Sequence, residues 1–213
     1  MDVFSFMVFS FNKRYILRWI AAGLILIVPV VDFFSLGYLW RTAGLSMVGG
    51  VGLPPWEKKG ELFREGARCV YITILYEALP SFLCSLGFLL FQMKSFVTDL
   101  AAYIMVLLAV IAFLLCSFFL PFAFCAYVEG MELRRAFDFD KIFGGIKEVL
   151  VPYVIGYAIS LCALYVTYEL HRVPFVGAVL SLTLSFYVLL VSTYYFTQLF
   201  RRTSLSSGAR TLS

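Results

Sequence analysis

An ionised carboxylate inside an apolar helix is costly unless it is protonated, paired or in contact with water, and two acidic residues of this chain fall in such positions. Glu77 stands about eight residues into the apolar stretch from Cys69 to Phe91 and three before Pro80. Asp32 interrupts a second apolar region between Trp19 and Trp40. If both faced one hydrated cavity they could bind a cation or exchange a proton with solvent, because neighbouring carboxylates raise one another's pKa. That is the chemistry of a transport path or a proton relay. Each residue also has a structural reading. Asp32 would cap a helix beginning at Phe33, and Glu77 would hydrogen-bond a neighbour such as Tyr76 or a Ser across a helix interface.

Other residue types offer less. The one histidine, His171, sits beside Glu169 and Arg172 in a short polar turn, with no recognisable nucleophile elbow elsewhere to complete a triad. Cys69, Cys84, Cys116, Cys125 and Cys162 fall in or beside apolar segments without a C-x-x-C spacing, and read as small packing residues. Gly49-Gly50-Val51-Gly52 lacks the Lys-Ser or Lys-Thr of a phosphate loop and reads as a flexible connector. No catalytic residue, metal ligand or cofactor site is expected, so the chain is read as a non-enzyme.

Those residues must be positioned by membrane helices. The chain is 62% hydrophobic and 14% charged, against about 25% charged in soluble domains. Leu100 to Val128, Val149 to Tyr168 and Val173 to Phe200 contain no charged residue, and Cys69 to Phe91 contains only Glu77. Each is long enough for a hydrocarbon core, which needs about 20 residues. Without a two-residue alternation, helices rather than a closed barrel satisfy the backbone in lipid. The expected fold is all-α: a polytopic helical bundle with spans near 69–91, 100–128, 149–168 and 173–200. Residues 1–203 make one membrane domain, and 204–213 a disordered polar tail. Met1 to Phe11 lacks the basic start of a cleavable signal and is expected to stay at the interface.

The region 15–48 is either one span or a hairpin of two helices, since Pro29 favours a break between Val28 and Asp32. If it crossed, Lys13, Arg14, Arg18, Lys94 and Arg172 would share one side, five of the seventeen Lys and Arg. If it dips in and returns, only Lys94 and Arg172 remain outside. The second division obeys the positive-inside bias better, so the expectation is a hairpin with both termini cytoplasmic. The net charge of +4 lies in single or paired residues beside apolar segments, which suits anionic lipid and not nucleic acid.

The outer connections, Gln92 to Asp99 and Glu169 to Pro174, are short; the inner ones, Arg41 to Arg68 and Glu129 to Glu148, are longer and charged. In the second inner connection Asp138 should cap a helix from Phe139 toward Lys147. Ile142, Phe143 and Ile146 would share one face and Lys141 and Lys147 would point to headgroups. Gly156 and Ser160 form a small-x-x-x-small pair for close helix approach, within the bundle or in a dimer.

The inner connections carry a pattern: Gly37-Tyr38-Leu39-Trp40-Arg41, Leu53-Pro54-Pro55-Trp56, then Gly60-Glu61-Leu62-Phe63 and Gly66. Pro29-Val30-Val31-Asp32 precedes it and Ala136-Phe137-Asp138-Phe139 follows. The chain thereby resembles an uncharacterised prokaryotic membrane family, a domain of unknown function whose members read Ile-Pro-Ile-Val-Asn, Gly-Tyr-Leu-x-Arg, Leu-Pro-x-Trp and Gly-Glu-Leu-Phe in order. The resemblance implies a multi-spanning fold in the cytoplasmic membrane and no known activity. This chain departs from it where members often carry an acidic pair and a second Trp, having Glu57, Lys58 and Lys59 instead. Physically, Leu53-Pro54-Pro55-Trp56 would stop a helix and set an indole at the interface, and Gly60 and Gly66 would permit turns or close approach. The same loop could instead build a binding site.

Two functions follow. The first is a non-enzymatic protein that organises lipids, membrane partners or its own oligomer. The second is a small-solute or ion permease using Asp32 and Glu77 with Pro-broken helices.

Overall fold

The computed structural model describes residues 3–25, 32–50, 52–174 and 176–206. In chain order they form α1 (Val3–Ser10), α2 (Lys13–Ile25), α3 (Asp32–Met47), α4 (Lys59–Phe91), α5 (Phe96–Gly130), α6 (Leu133–Ala136), α7 (Phe139–Glu148), α8 (Leu150–Glu169), a 3-10 turn over Leu170–Arg172 and α9 (Gly177–Phe200), with no strand among the described residues. The protein is therefore an all-α membrane bundle, in which α4, α5, α8 with its turn, and α9 are long and apolar enough to cross a membrane.

Helix α4 begins at Lys59, well ahead of the apolar run at Cys69. Helices end where their last backbone groups find other partners and not where apolar residues stop. Pro80 and Pro121 lie inside α4 and α5, which continue through them. A break at those prolines would have left further polar backbone groups unpaired in lipid. Neither helix is thus Pro-broken, and the break expected at Pro29 falls outside the described residues.

Two compact units divide the chain, one made of 1–70 with 122–213 and the other of 71–121, with boundaries inside α4 and α5. In the first unit α9 is the hub, packing on α1, α2, α3 and α8. Its Phe186, Tyr187, Leu190 and Tyr194 share a core with Phe6, Trp19, Ala22, Tyr38 and Leu53. Phe6 of α1 stacks on Tyr194 at 4.0 Å between centroids, so this helix is anchored by a buried side chain while Phe4 and Val8 stay exposed. The Trp19 indole donates to the Ser10 carbonyl at 3.1 Å, pairing a carbonyl at the end of α1.

Helices α8 and α9 run side by side. Ser160 and Ser192 share a hydroxyl hydrogen bond of 2.8 Å, Thr167 and Ser185 another of 2.7 Å, and Gly156 leaves room for the Tyr195 ring. The small-x-x-x-small pair therefore packs within the chain.

The second unit is an antiparallel hairpin of α4 and α5, closed by the tight pass of Gly87 against Ala102 and Val106 and by the edge-on contact of Phe91 with Tyr103 at 5.1 Å. Most of its large apolar residues are exposed, Phe82 and Tyr103 among them, as suits side chains solvated by lipid.

Helices α2 and α3 are folded against one another. Ser35 Oγ donates to the Ala22 carbonyl at 2.8 Å. In one straight helix these residues would stand about 20 Å apart, at 1.5 Å per residue. With the five native cysteines replaced by alanine, Ala22→Cys with Ser35→Cys should crosslink efficiently with a short thiol reagent in membranes, read as a mobility shift. No crosslink, with both thiols reactive singly, would rule out the hairpin.

Candidate functional site

Arg41 is a heavily coordinated charge of the first unit. Its side chain is only 17% exposed and ties α3 to the start of α4 and the connection before it. Nε donates to Glu65 Oε2 at 3.0 Å, Nη1 to the Glu57 carbonyl at 2.6 Å and Nη2 to the Lys58 carbonyl at 3.4 Å, and Glu61 Oε2 lies 3.6 Å from Nη2. A guanidinium suits this task because its planar fork reaches carboxylates and carbonyls together. Lys58, at φ of 53°, turns its carbonyl both to Arg41 and to the first amides of α4, Glu61 and Leu62.

The backbones of α3 and α4 cross beside this ion pair. A Cβ on Gly37 would overlap the Leu62 carbonyl, and one on Gly66 would overlap the Phe33 carbonyl. Phe63 covers the crossing with Phe33 at 5.1 Å and Phe34 at 5.5 Å. Gly60 has open space around it and takes no part in the approach.

From α2, Arg18 Nη1 donates to the Leu53 carbonyl at 2.9 Å and reaches the Pro54 carbonyl at 3.5 Å. The connection 53–58 is thus held by two arginines through its backbone. Trp56 lies inward, stacked on Tyr38 at 4.9 Å and 19°. The indole set for the interface therefore packs on a fully buried Tyr38. The Tyr38 hydroxyl and Trp56 Nε1 are buried without a hydrogen-bond partner.

Asp32 is the first residue of α3, and its Oδ1 is likewise buried without a partner. That oxygen does not cap α3. Asp32 belongs to the first unit and Glu77 to the second. Glu77 is half-buried on α4, within electrostatic reach of the Cys116 thiol on α5. No group of three or more His, Cys, Asp or Glu suited to a metal ion occurs among the described residues. His171 is an exposed turn residue, and the adjacent Arg172 pairs with Glu169 at 2.9 Å.

Most of the motif residues come together: Gly37, Tyr38, Arg41, Pro54, Trp56, Glu61, Phe63 and Gly66 all lie in the α3–α4 crossing or the connection against it. A family model described as a protein of unknown function (DUF4013) matches residues 20–172, from within α2 to the 3-10 turn. The chain belongs to that family. No curated protein and no solved structure matches it. In this DUF4013 member the motifs make a structural clamp of backbone crossing, ion pairs and stacked aromatics. Arg18 and Glu65 take part in it, and Ser35 ties α3 to α2 beside it; none of the three was given a site role from the sequence. The Glu61 and Glu65 spacing of i, i+4 was the available signal, since it places both carboxylates on one helix face.

Phe137 and Asp138 belong instead to the junction of α6 and α7. Phe137 ends α6 and is half-buried. Asp138 caps α7, accepting from the Lys141 amide at 3.4 Å and pairing with Lys141 Nζ at 2.6 Å. The hydrogen bond from the Lys141 side chain leads in holding its carboxyl below the ordinary range. Helix α7 buries Ile142, Gly145 and Ile146, whereas Phe143 is exposed under Lys147 Nζ at 4.3 Å. The buried face thus extends from Ile142 and Ile146 toward Gly145 and not toward Phe143, and Leu205 packs directly over Gly145, where a side chain would collide.

Leu205 is brought there by Glu148, whose carboxylate accepts from the Ser204 hydroxyl and, at 2.8 Å, from the Ser204 amide. Ser204–Ser206, the start of the segment expected to be disordered, is therefore held, with Ser206 buried; the rest of that tail falls outside the described residues.

Replacing Gly37 or Gly66 by Ala should destabilise the protein by about 1–3 kcal/mol, because backbone on both sides of the crossing must move. Gly60→Ala should be neutral or stabilise by roughly 0.5–1 kcal/mol, since alanine suits an exposed helical site better. Thermal unfolding in mild detergent separates the two cases. Equal effects at all three glycines would contradict the crossing.

The Ser204 bonds, led by the hydroxyl, also hold the Glu148 carboxyl below its ordinary value. A lowered carboxyl contributes stability above its unfolded value and loses it as pH falls through the folded one. Hydrogen exchange at the Ser204 amide should accordingly accelerate as pH drops below the ordinary glutamate range, after correction for intrinsic rates. Glu148→Gln should remove that acid dependence.

Proposed function

We propose that this DUF4013 protein is a non-enzymatic membrane protein that organises lipids or partner proteins in the cytoplasmic membrane, with both termini cytoplasmic. The observation that carries the reading is the coordination of Arg41. Arg41 binds Glu61, Glu65 and the carbonyls of Glu57 and Lys58, which makes the segment joining α3 to α4 a brace between helices.

The shortness of α2 and α3, about 20 and 24 Å at 1.5 Å per residue, supports a hairpin that enters a core of about 30 Å and returns. That arrangement leaves Lys94 and Arg172 as the basic residues outside, in accord with the positive-inside bias. The exposed apolar surface of the α4–α5 hairpin supports contact with lipid, a membrane partner or a second copy.

A permease is the second reading, favoured by the partnerless Asp32 Oδ1, since a buried carboxylate oxygen without a donor suits a protonated acid or a transient cation. Protein reconstituted in vesicles should show proton, sodium and potassium fluxes equal to those of protein-free vesicles. Flux above that level, abolished by Asp32→Asn or Glu77→Gln, would establish the permease and overturn the organiser.

A further inference from the structure

Outside the α3–α4 clamp, the first unit holds a cavity of about 300 Å³ where α5, α7 and the end of α9 meet. Its polar side carries Glu129, Arg135, Asp138 and Lys141, two acids and two bases, and its apolar side includes Phe200 and Leu205. The position follows from the sequence: Glu129 is the first charge after the apolar stretch of α5, and Phe200 the last residue of α9 before Arg201 and Arg202. Apolar spans giving way to charge mark the headgroup level of a bilayer.

The cavity is also a built feature. Helix α7 is fixed along one side by its Asp138 cap, and the Glu148–Ser204 bonds hold Leu205 over Gly145 on the other. Three of its charges stand in ion pairs, Lys141 with Asp138 at 2.6 Å within the lining and Arg135 with the neighbouring Glu132 at 3.7 Å. Such pairs near the surface are weak, about 0–1 kcal/mol, so a ligand carrying both signs can exchange with them at little cost. A lining with equal numbers of acids and bases matches a zwitterion. An anion alone would bring its charge against a lining that holds two carboxylates beside its two bases.

We propose that this cavity binds the headgroup of a zwitterionic phospholipid bearing a primary amine, with its phosphate toward Arg135 and Lys141 and its ammonium toward Glu129 and Asp138. Leu205, which is half-buried, would then meet the start of the acyl chains. The proposal rests on the lipid-organising reading and specifies the lipid. A primary ammonium donates hydrogen bonds to carboxylates, which a quaternary choline cannot do, and a glycerol headgroup brings no cation at all.

The test is native mass spectrometry of the full chain released from nanodiscs of equal parts phosphatidylethanolamine, phosphatidylcholine and phosphatidylglycerol. Retained phosphatidylethanolamine should exceed each of the others at least five-fold. The excess should vanish in Arg135→Gln with Lys141→Gln, and survive in Lys147→Gln, which alters the charge of α7 outside the cavity. The residues replaced in the double variant are at least half exposed, so the unfolding midpoint should match the wild type, and Glu129→Gln should lower the preference independently.

Equal retention of the three lipids would overturn the proposal. So would equal loss in Lys147→Gln, which shows diffuse attraction, or displacement of the lipid by millimolar inorganic phosphate, which shows a free-phosphate site. Lipid selectivity decides the cavity alone. Vesicle flux decides the wider reading, so the failure of one is distinguishable from the failure of the other.

Discussion

A guanidinium placed beside apolar helices must be paired, because an isolated charge there is far more costly than any contact it displaces. Arg41 meets that constraint by drawing α4 and its preceding connection against α3. The approach requires two glycines at the crossing, since any Cβ on Gly37 or Gly66 would meet backbone. Once the backbones touch, the connection 53–58 is short enough for Arg18 to hold its carbonyls and for Trp56 to stack on Tyr38. The geometry of the α2–α3 hairpin, and hence its packing on α9, depends on that sequence of contacts.

The same logic extends to the other end of the first unit. Helix α7 is too short and too polar to span, yet it is fixed by contacts at both ends, Asp138 at its start and Glu148 at its finish. Charged residues beside the spans therefore act as fasteners that hold amphipathic pieces against apolar helices. That division of labour leaves the interior to hydroxyl pairs and aromatic rings. Ser160 with Ser192 and Thr167 with Ser185 bind across α8 and α9 without placing a charge in the bundle. Hydrogen bonds of this kind contribute roughly 0.6 kcal/mol each in membrane helices, enough to set register when several act together.

Among the described residues three buried side-chain polar atoms stand outside this pattern of pairing: Asp32 Oδ1, the Tyr38 hydroxyl and Trp56 Nε1. All belong to the first unit and all come from segments carrying the recognised motifs. Unpaired buried groups cost about 1–3 kcal/mol each, so their presence marks α3 and the connection that packs on it as the place where the chain departs from simple packing.

Much was legible in the sequence alone. Helical spans follow from charge-free stretches longer than a bilayer core, and the Asp138 cap follows from an acid ahead of an amphipathic run, because both are local consequences of backbone hydrogen bonding. The site was legible only as a set of motifs. That Gly37 and Gly66 face each other, that Glu65 completes the Arg41 pair, and that Trp56 turns inward to Tyr38 depend on residues brought close by the crossing of two helices. Phe143 shows the limit from the other side: periodicity placed it on the buried face, but the face of α7 that is buried runs from Ile142 and Ile146 to Gly145, against Leu205 from beyond α9. Local propensity determines which segments are helices, whereas which faces meet is decided by long-range steric fit and charge pairing that no single segment contains.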